Sequence, residues 1–361
     1  MNEIGVGIVG SGFIAGVHAE AVASLPDARV VAHCGRDPER AREFVTHHRV
    51  PQTYGDYGAL LDDPAVDAVV LCIPNHLHAD FTVRAAAAGK HVIVEKPLCL
   101  TLADADRMIE ACRRAGVVLG YAEELCFAPK YVRAKAMSDE GAVGRIYRVN
   151  QVEKHAGPYS DWFWQAEQAG GGILMDMGCH CIEWARWMLD KPQVTAVTCM
   201  LGSVLHGERT DLEDDAIIHL EFDSGQTALL ESSWALHGGM DSFGHVFGTE
   251  GVIHVDLLRG QGLQVFSTQG FGEYAPAARG WSWPDYEWNW NNGYPQEDAH
   301  FFDCIRRGAA PSEGGEDGRR VLEILLACYA SAAEGRRIAL PYTPPDDLRA
   351  PVDLWLRARA G

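Results

Sequence analysis

The sequence predicts an α/β protein of two domains, the first built on a doubly wound sheet. A short apolar run at the start of the chain leads through a glycine-rich turn into a helical pattern. Strand and helix patterns then alternate through the first third, and strand patterns are frequent in the part that follows. With 361 residues the chain is long enough for two domains.

The composition is ordinary for a globular protein, with 47% hydrophobic and 22% charged residues. The formal net charge of −19 argues against nucleic acid or an anionic membrane as a partner, because both attract basic surfaces. The ten cysteines form no C-x-x-C pair, so we expect reduced thiols in a cytoplasmic protein, without disulfides or a metal site. The polar MNE start leads directly into a strand, and we expect neither a signal peptide nor a membrane span.

The first strand, Ile4–Val9, leads into a G-x-G-x-x-A turn formed by Gly10, Gly12 and Ala15, and a helix follows over Ala15–Leu25. In a dinucleotide fold the first glycine permits the turn, and the second lets the backbone approach a pyrophosphate. The third small residue lets helix and strand pack closely, and the helix N-terminus offers free amides to the phosphates. The position of this turn therefore predicts a dinucleotide site.

The second strand, Arg29–Cys34, ends where such a fold contacts the ribose 2′ position. Gly35 stands where an acid would bind the NAD ribose, and Arg36 follows, where it could clamp a 2′-phosphate. The cofactor is therefore NAD or NADP, and the pair Gly35-Arg36 favours NADP. The alternative is that Arg36 is a solvated turn residue and that Asp37 caps the next helix, Pro38–Val45.

Two further buried strands carry polar residues at their carboxyl ends, where ligands collect in such sheets. Ala68–Ile73 is followed by Pro74, and we expect Asn75 and His78 to face the cofactor, although either would also serve as a cap. The next strand ends in Glu-Lys-Pro, which places Lys96 on a stiff backbone. Lys96 could donate to a substrate oxygen or help to move a proton, and the alternative is a surface lysine.

The stretch Ala169–Leu189 combines three glycines, Gly170–Gly172, with a helical apolar pattern. Asp176 and His180 lie four residues apart, so their side chains should emerge from the same face of the helix. A carboxylate beside an imidazole can orient it and raise its basicity, as a general base requires. The alternative is a core histidine bonded to a neighbouring acid, and the pair alone leaves both interpretations open.

The second part of the chain predicts a broad sheet that includes a hairpin around Asp223-Ser224-Gly225. Its predicted strands are Ile146–Lys154, Val194–Leu201, Ala216–Phe222, Thr227–Trp234, His245–Phe247 and Val252–Leu257. Helices that cover one face of such a sheet leave the other to be hidden, so we expect a homodimer or homotetramer. The tryptophan-rich segment Gly280–Tyr294 is then either a cleft-edge loop or an oligomer contact.

A loop dense in aromatic residues, Gly157–Trp164, precedes the glycine run. Aromatic rings beside a polar cleft suit the C–H faces of sugars, so Trp164 is a candidate substrate contact. His155, at the end of the preceding strand, is a second candidate. The alternative is that Trp162 and Trp164 wedge the two domains together.

Five motifs stand in order along almost the whole chain. They are GIVGSGFIAGVHA at Gly7–Ala19, IPNHLHAD at Ile73–Asp80, VEKPL at Val94–Leu98, DEGAVGRI at Asp139–Ile146 and GGGILMDMGCH at Gly170–His180. In this arrangement the chain resembles the glucose–fructose oxidoreductase and inositol dehydrogenase family, Gfo/Idh/MocA. The resemblance implies a Rossmann NAD(P)-binding domain and an α/β domain with a large, mostly antiparallel open sheet. We place these domains at residues 1–122 and 123–340, with a C-terminal tail or arm at 341–361.

The resemblance also implies an NAD(P)-dependent dehydrogenase that acts on a secondary hydroxyl of a cyclic polyol, sugar or glycoside. Lys96 matches the lysine of the family's E-K-P motif, and Asp176 and His180 match its D-x-x-x-H segment, so these are the expected catalytic residues. His180 would remove the hydroxyl proton, Lys96 would bond the same oxygen, and Asp176 would position the imidazole or hold a neighbouring hydroxyl. The expected cofactor contacts are Gly10, Gly12, Phe13, Ile14, Arg36, Pro74, Asn75, His78, Glu95 and Lys96. The expected substrate contacts are Lys96, Glu123, His155, Trp164, Asp176 and His180.

One position departs from the family pattern. Many members carry an arginine three residues before the proline that follows the sixth strand, and this chain has Cys126 there. Glu123 or Glu124 could then take over part of the polar lining. The alternative function is a glycoside-modifying, epimerising or eliminating enzyme that uses transient oxidation by a retained NAD. A dinucleotide-sensing regulator without catalysis is disfavoured because all three expected catalytic residues are present.

Overall fold

The structure of the chain is a computed structural model that describes residues 3–259, 265–271, 278–282 and 288–360. Two sheets organise these residues, and each corresponds to one of the two predicted domains. No helix in the described ranges has the length and apolar character needed to cross a membrane. All ten cysteines lie in the described part, where they are buried and free of disulfides.

The first sheet contains, within the described residues, six parallel strands. They are β1 Ile4–Val9, β2 Ala28–Cys34, β3 Gln52–Tyr54, β4 Ala68–Leu71, β5 His91–Glu95 and β6 Leu119–Ala122. Their spatial order, β3-β2-β1-β4-β5-β6, reverses direction between β1 and β4, which is the doubly wound arrangement. The helices between them are α1 Phe13–Ala23, α2 Pro38–His48, α3 Tyr57–Leu61, α4 His78–Ala87 and α5 Leu102–Ala115. The predicted Rossmann domain is confirmed.

The second sheet follows helix α6, Pro129–Asp139, and is mostly antiparallel. Its described strands are β7 Ile146–Lys154, β8 Val194–Gly202, β9 Asp215–Phe222, β10 Thr227–Ser233, β11 Asp241–Gly248, β12 Val252–Asp256 and β15 Ile338–Ala339. They lie in the order β12-β11-β7-β10-β9-β8-β15, and β7 with β10 is the parallel pair among them. A separate antiparallel pair consists of β13 Val265–Phe271 and β14 Ala278–Ser282. The predicted hairpin between β9 and β10 is confirmed.

The remaining helices lie in the second part of the sequence. They are α7 Ala166–Ala169, α8 Cys179–Met188, α9 Trp288–Asn292, α10 Tyr294–Arg307, α11 Gly315–Glu334 and α12 Asp353–Ala360. Helix α9 and the start of α10 take up the end of the tryptophan-rich segment, of which residues 283–287 lie outside the described residues. The choice between a cleft edge and an oligomer contact for that segment therefore stays open.

Helix α10 returns the chain to the first sheet. Phe301 and Phe302 are fully buried and belong to the same core cluster as Ile8 of β1 and Ala122 of β6. A Cβ at Gly120 in β6 would lie 2.8 Å from the ring of Phe301, so the missing side chain makes room for this helix. Because α10 packs against the first sheet although it comes late in the sequence, the predicted domain boundaries at residues 122 and 340 stay predictions.

Candidate active site

The glycine turn after β1 is shaped to receive a ligand. Gly10 has φ +116°, and a Cβ there would lie 2.1 Å from the carbonyl oxygen of Cys72. Gly12 caps α1 without a side-chain hydrogen bond, and no heavy atom lies within 4 Å of where its Cβ would be. The turn is therefore open at Gly12, beside the N-terminus of α1, which is the environment a pyrophosphate requires.

Side chains of β2 and α2 contact the backbone and Ser11 of this turn. His33 Nε2 lies 3.0 Å from Ser11 Oγ and 3.1 Å from the carbonyl oxygen of Gly10. Arg36 is exposed and forms no hydrogen bond or ion pair within the described residues. The Asp37 carboxylate accepts hydrogen bonds from the second and third residues of its helix, so its predicted capping role is confirmed. Arg40, which the sequence did not single out, donates to the carbonyl oxygen of Ser11 at 3.2 Å.

The polar side chains after β4 contact backbone carbonyl oxygens of the protein. Asn75, which follows Pro74, is 3% exposed, and its Nδ2 donates to the carbonyl oxygen of Ala169 at 2.8 Å. His78 is fully buried, with its ring nitrogens 3.0 and 2.9 Å from the carbonyl oxygens of Pro97 and Ile73. Burial lowers the pKa of His78. Their expected role as direct cofactor contacts stays a prediction, since both side chains already have protein partners.

Lys96 follows β5, at the carboxyl edge of the first sheet. Its Nζ donates to the backbone oxygen of Asp176 at 2.8 Å and lies 3.2 Å from Asp176 Oδ1. Burial alone would lower the pKa of Lys96, but nearby negative groups, Asp176 first, hold this pKa above its usual value. Lys96 is therefore a permanently charged donor with a fixed position.

Glu95 precedes this lysine and connects it, through His18, to helices α1 and α10. Its carboxylate accepts from the backbone N–H of Lys96 at 3.1 Å and contacts His18 Nε2 at 3.0 Å. His18 Nδ1 lies 3.2 Å from Asp298 of α10. All of these acids and His18 are buried, so Glu95 acts as a support beneath Lys96.

The glycine run positions the segment that carries the other two expected catalytic residues. A Cβ at Gly172 would lie 2.0 Å from the backbone oxygen of Glu213, so only glycine permits this approach. The buried Glu213 carboxyl accepts hydrogen bonds from the N–H of Gly172 at 2.9 Å and of Leu174 at 3.2 Å, and from Tyr329 Oη at 2.6 Å. Burial raises the pKa of Glu213 to about 7.

Asp176 and His180 share no hydrogen bond within the described residues. Asp176 lies in a π-helical turn, Leu174–Gly178, and His180 lies in α8, which begins at Cys179. Their side chains have different hydrogen-bond partners. The expectation that both side chains emerge from one face stays a prediction.

Asp176 is the centre of a buried network. Its Oδ2 accepts from Trp234 Nε1 at 2.9 Å and lies 3.2 Å from His155 Nε2, while its Oδ1 faces Lys96. Burial alone would raise the pKa of Asp176, but the Lys96 cation and the bonds from His155 and Trp234 hold this pKa well below its usual value. An ionised Asp176 therefore balances the charge of Lys96.

His180 is held by two glutamates. Its Nδ1 lies 2.6 Å from Glu123 Oε1, and its Nε2 lies 3.7 Å from Glu124 Oε1, which also accepts from Tyr294 Oη. Burial lowers the pKa of His180 to about 4 and raises the pKa of Glu123 well above its usual range. The carboxylate that orients this imidazole is thus Glu123, the residue expected to contact substrate, and not Asp176.

The exposed aromatic ring beside this network is Tyr159. It is 61% exposed and lies parallel to the ring of His155, with 6.2 Å between their centroids, and 5.4 Å from the ring of Phe13. Trp164 instead packs against Trp234 at 5.2 Å, under the guanidinium of Arg209. These contacts favour the packing role for Trp164 over a free platform for a sugar.

One group of possible metal ligands lies at the site: atoms of Glu123, Cys179 and His180 are all within 4.8 Å of one another. Burial raises the pKa of Cys179 well above its usual range, and its thiol donates to the backbone oxygen of Asp176. A cysteine binds a metal as a thiolate, so binding at this group would require loss of the Cys179 proton. His155, Asp176 and His180 do not form such a group within the described residues.

Sequence reasoning missed several supporting residues. Trp234 and Tyr294 carry no motif, and His18 and Asp298 are 280 positions apart in the chain. The signal that existed was His18 within the glycine-turn motif, where it is the sixth residue of α1. The roles of all these side chains depend on tertiary packing.

Comparisons with known proteins match both parts of the chain. Residues 4–123 match a family model for an oxidoreductase family with an NAD-binding Rossmann fold, and residues 131–254 match the GFO/IDH/MocA C-terminal domain. The chain is 30% identical over 340 residues to myo-inositol 2-dehydrogenase of Thermotoga maritima, covering 93% of this chain and 98% of the relative.

Two solved structures are similar over nearly the whole chain. GenD2 from gentamicin A biosynthesis in complex with NAD has a TM-score of 0.89 and 33% identity, covering 95% of this chain and 97% of that one. Levoglucosan dehydrogenase in complex with NADH and levoglucosan has a TM-score of 0.80 and 26% identity, covering 94% and 100%.

Proposed function

Because the chain belongs to the Gfo/Idh/MocA family of NAD-binding oxidoreductases, we propose that it oxidises a secondary hydroxyl of a cyclic polyol, sugar or glycoside. The observation that carries this proposal is the pairing of a largely enclosed ammonium, Lys96, whose side chain is 15% exposed, with the buried neutral imidazole of His180, on which its charge acts. These are a hydrogen-bond donor and a proton acceptor for one hydroxyl oxygen. Relatives that are inositol and levoglucosan dehydrogenases support the substrate class.

The proposed cofactor is NAD. Gly10 and Gly12 leave room for the backbone to approach a pyrophosphate, and the amides at Phe13 and Ile14 would hold it. The chemistry that NAD supplies when bound is acceptance of a hydride from the carbinol carbon. The similar structures contain NAD or NADH, so we no longer favour NADP on the strength of Arg36.

Lys96 and His180 divide the work on the hydroxyl group. Lys96 keeps its charge, so it donates to the substrate oxygen and stabilises the negative charge that develops there. His180 is neutral near pH 7, so its Nε2 can accept the hydroxyl proton. Asp176 holds Lys96 in place because it accepts two hydrogen bonds from Lys96 Nζ, one at its backbone oxygen and one at Oδ1.

Self-association is a separate part of the proposal. Four large apolar residues are exposed on strands of the second sheet, namely Tyr147, Met200, Ile217 and Val252. Exposed apolar side chains on one sheet favour a second copy as the partner, which supports a homodimer or homotetramer. Light scattering of the purified protein measures this directly.

The test is reduction of NAD, followed by nicotinamide absorbance, with a panel of inositols, aldoses and glycosides. Lys96→Met removes the proposed donor, and Lys154→Met is the matched control, because Lys154 pairs with Glu231 instead of the network around Asp176. We expect one substrate class to give absorbance that Lys96→Met abolishes and Lys154→Met retains. Altered glycosides without net reduction would overturn the simple dehydrogenase and favour transient oxidation by a retained NAD.

A further inference from the structure

The contact between His180 and Glu123 is unusually close and fully enclosed. The atoms His180 Nδ1 and Glu123 Oε1 are 2.6 Å apart, and the two residues are 3% and 0% exposed. Glu123 Oε2 is buried and has no hydrogen-bond partner within the described residues. Within the described residues, the imidazole is therefore the one hydrogen-bond partner of this carboxyl group.

We infer that the base for the substrate hydroxyl is the pair His180–Glu123 acting as one unit, with the proton ending on Glu123. This inference rests on the proposed function. Before reaction, Nδ1–H donates to the Glu123 carboxylate, which leaves the lone pair of Nε2 directed away from it. As the alcohol is oxidised, its O–H bond breaks and an Nε2–H bond forms, while Nδ1–H breaks and Oε1–H forms. The substrate loses this proton together with the hydride taken by NAD, so charge and electrons balance.

A glutamate can receive a proton here because its surroundings make the neutral acid favourable. Burial is the dominant cause that raises the pKa of Glu123. Titratable groups interact with the pair from the end of β5, from the same loop, from the π turn, from α8, from β6 and from β7. They are Glu95, Lys96, Glu124, Cys126, Asp176, Cys179, Glu183, Tyr121 and Glu153. Five of these are carboxyl groups and one is a cation, so the nearby charge does not favour an ionised Glu123.

The pair predicts a pH dependence that His180 alone would not give. Two groups coupled this closely take up one proton as a unit. Oxidation requires the unprotonated pair, so kcat/KM should rise with pH through the pKa of the pair and level off above it. A lone His180, with a pKa of about 4, would be unprotonated throughout the range above about pH 5 and would give a flat profile. Glu123 is accordingly a positioning residue that also stores the proton.

The test compares Glu123→Gln with Glu153→Gln. Glutamine keeps an oxygen that can accept from Nδ1–H but cannot receive a proton. Glu153 is the matched control, since it is equally buried, has an unpartnered Oε2, and bonds Gln151 and Ser242 instead of a histidine. For Glu123→Gln we expect kcat to fall about 10²-fold with little change in KM, and the pH limb to flatten. Glu153→Gln should retain native kcat, KM and pH profile.

Infrared spectroscopy of the cofactor-free protein provides a second arm that needs no substrate. Glu213 and other buried acids also give protonated-carboxyl bands, so the variants are compared by difference spectra. The native-minus-Glu123→Gln spectrum should contain a protonated-carboxyl component that titrates above the usual glutamate range, and Glu153→Gln should keep that component. An unchanged pH profile and kcat in Glu123→Gln, or an unchanged infrared titration, would overturn the inference. If the native protein oxidises no polyol, the proposed function fails, while the infrared arm still decides whether Glu123 holds the proton.

Discussion

Replacing Asp176 by asparagine tests the buried charge balance on which Lys96 depends. The atoms Nζ and Oδ1 are 3.2 Å apart, and their side chains are 15% and 8% exposed. At an effective dielectric constant of about 20, two unit charges at this distance attract by about 5 kcal/mol. Breaking a buried pair by removing one partner typically costs about 3–5 kcal/mol. We therefore expect Asp176→Asn to lower the free energy of unfolding at pH 7 by about 3–5 kcal/mol.

The assay is urea unfolding of a double-mutant cycle with Lys96→Met, in which the double variant should recover most of the loss. The control pair is Lys154–Glu231, which is shorter at 2.7 Å but 26% and 40% exposed. Because water screens it, we expect a coupling of only about 0–1 kcal/mol for the control. A coupling below about 1 kcal/mol for the buried pair, or an equal value for both pairs, would refute the reasoning.

Three further predictions concern single side chains. Burial raises the pKa of Glu213 to about 7, so the folded protein holds one more proton than the unfolded chain between about pH 4.5 and pH 7, and stability falls as pH rises through this window. Between pH 5 and pH 8, the free energy of unfolding should fall by about 2–3 kcal/mol less in Glu213→Gln than in the native protein. An equal pH dependence of the free energy of unfolding in the two proteins, measured with urea, would contradict this. Tyr159→Ala should raise the KM for the polyol about 2- to 10-fold with kcat unchanged, because an exposed aromatic ring beside the network is lost. Tyr159→Phe keeps the ring and should retain the native KM. Arg36→Ala should leave kcat/KM with NAD within about twofold, since its side chain is exposed and unpaired among the described residues, and a larger loss would assign it to the cofactor.

Much of the fold follows from local patterns in the sequence. The glycine turn between an apolar strand and a helix predicts the first domain because each residue there has a backbone reason, such as the positive φ of Gly10. The alternating pattern of β7 predicts its bounds, Ile146–Lys154, for the same kind of reason. The return of α10 to the first sheet is not local, since only tertiary packing brings Phe301 against Gly120.

The site shows the same division between local and tertiary information. Motifs identify Lys96, Asp176 and His180, and in the structure Lys96 bonds Asp176 while the charges of both act on His180. The hydrogen-bond partners of Asp176 and His180 were not predictable, because they come from distant parts of the chain. The spacing assigned the carboxylate beside the imidazole to Asp176, whereas a residue from another loop, Glu123, holds that position. The aromatic loop suggested Trp164 as a substrate contact, whereas its packing against Trp234 favours the alternative packing role.

The most direct test of the account follows the hydrogen itself. A polyol oxidised in the panel would be prepared with deuterium on its carbinol carbon and incubated with the protein and NAD, and the denatured mixture analysed by mass spectrometry. The account predicts deuterium in the nicotinamide ring, whether the cofactor is released or stays bound, and none with Lys96→Met. Net oxidation of the polyol with its deuterium lost to water and none in the nicotinamide ring would contradict hydride transfer as the central step.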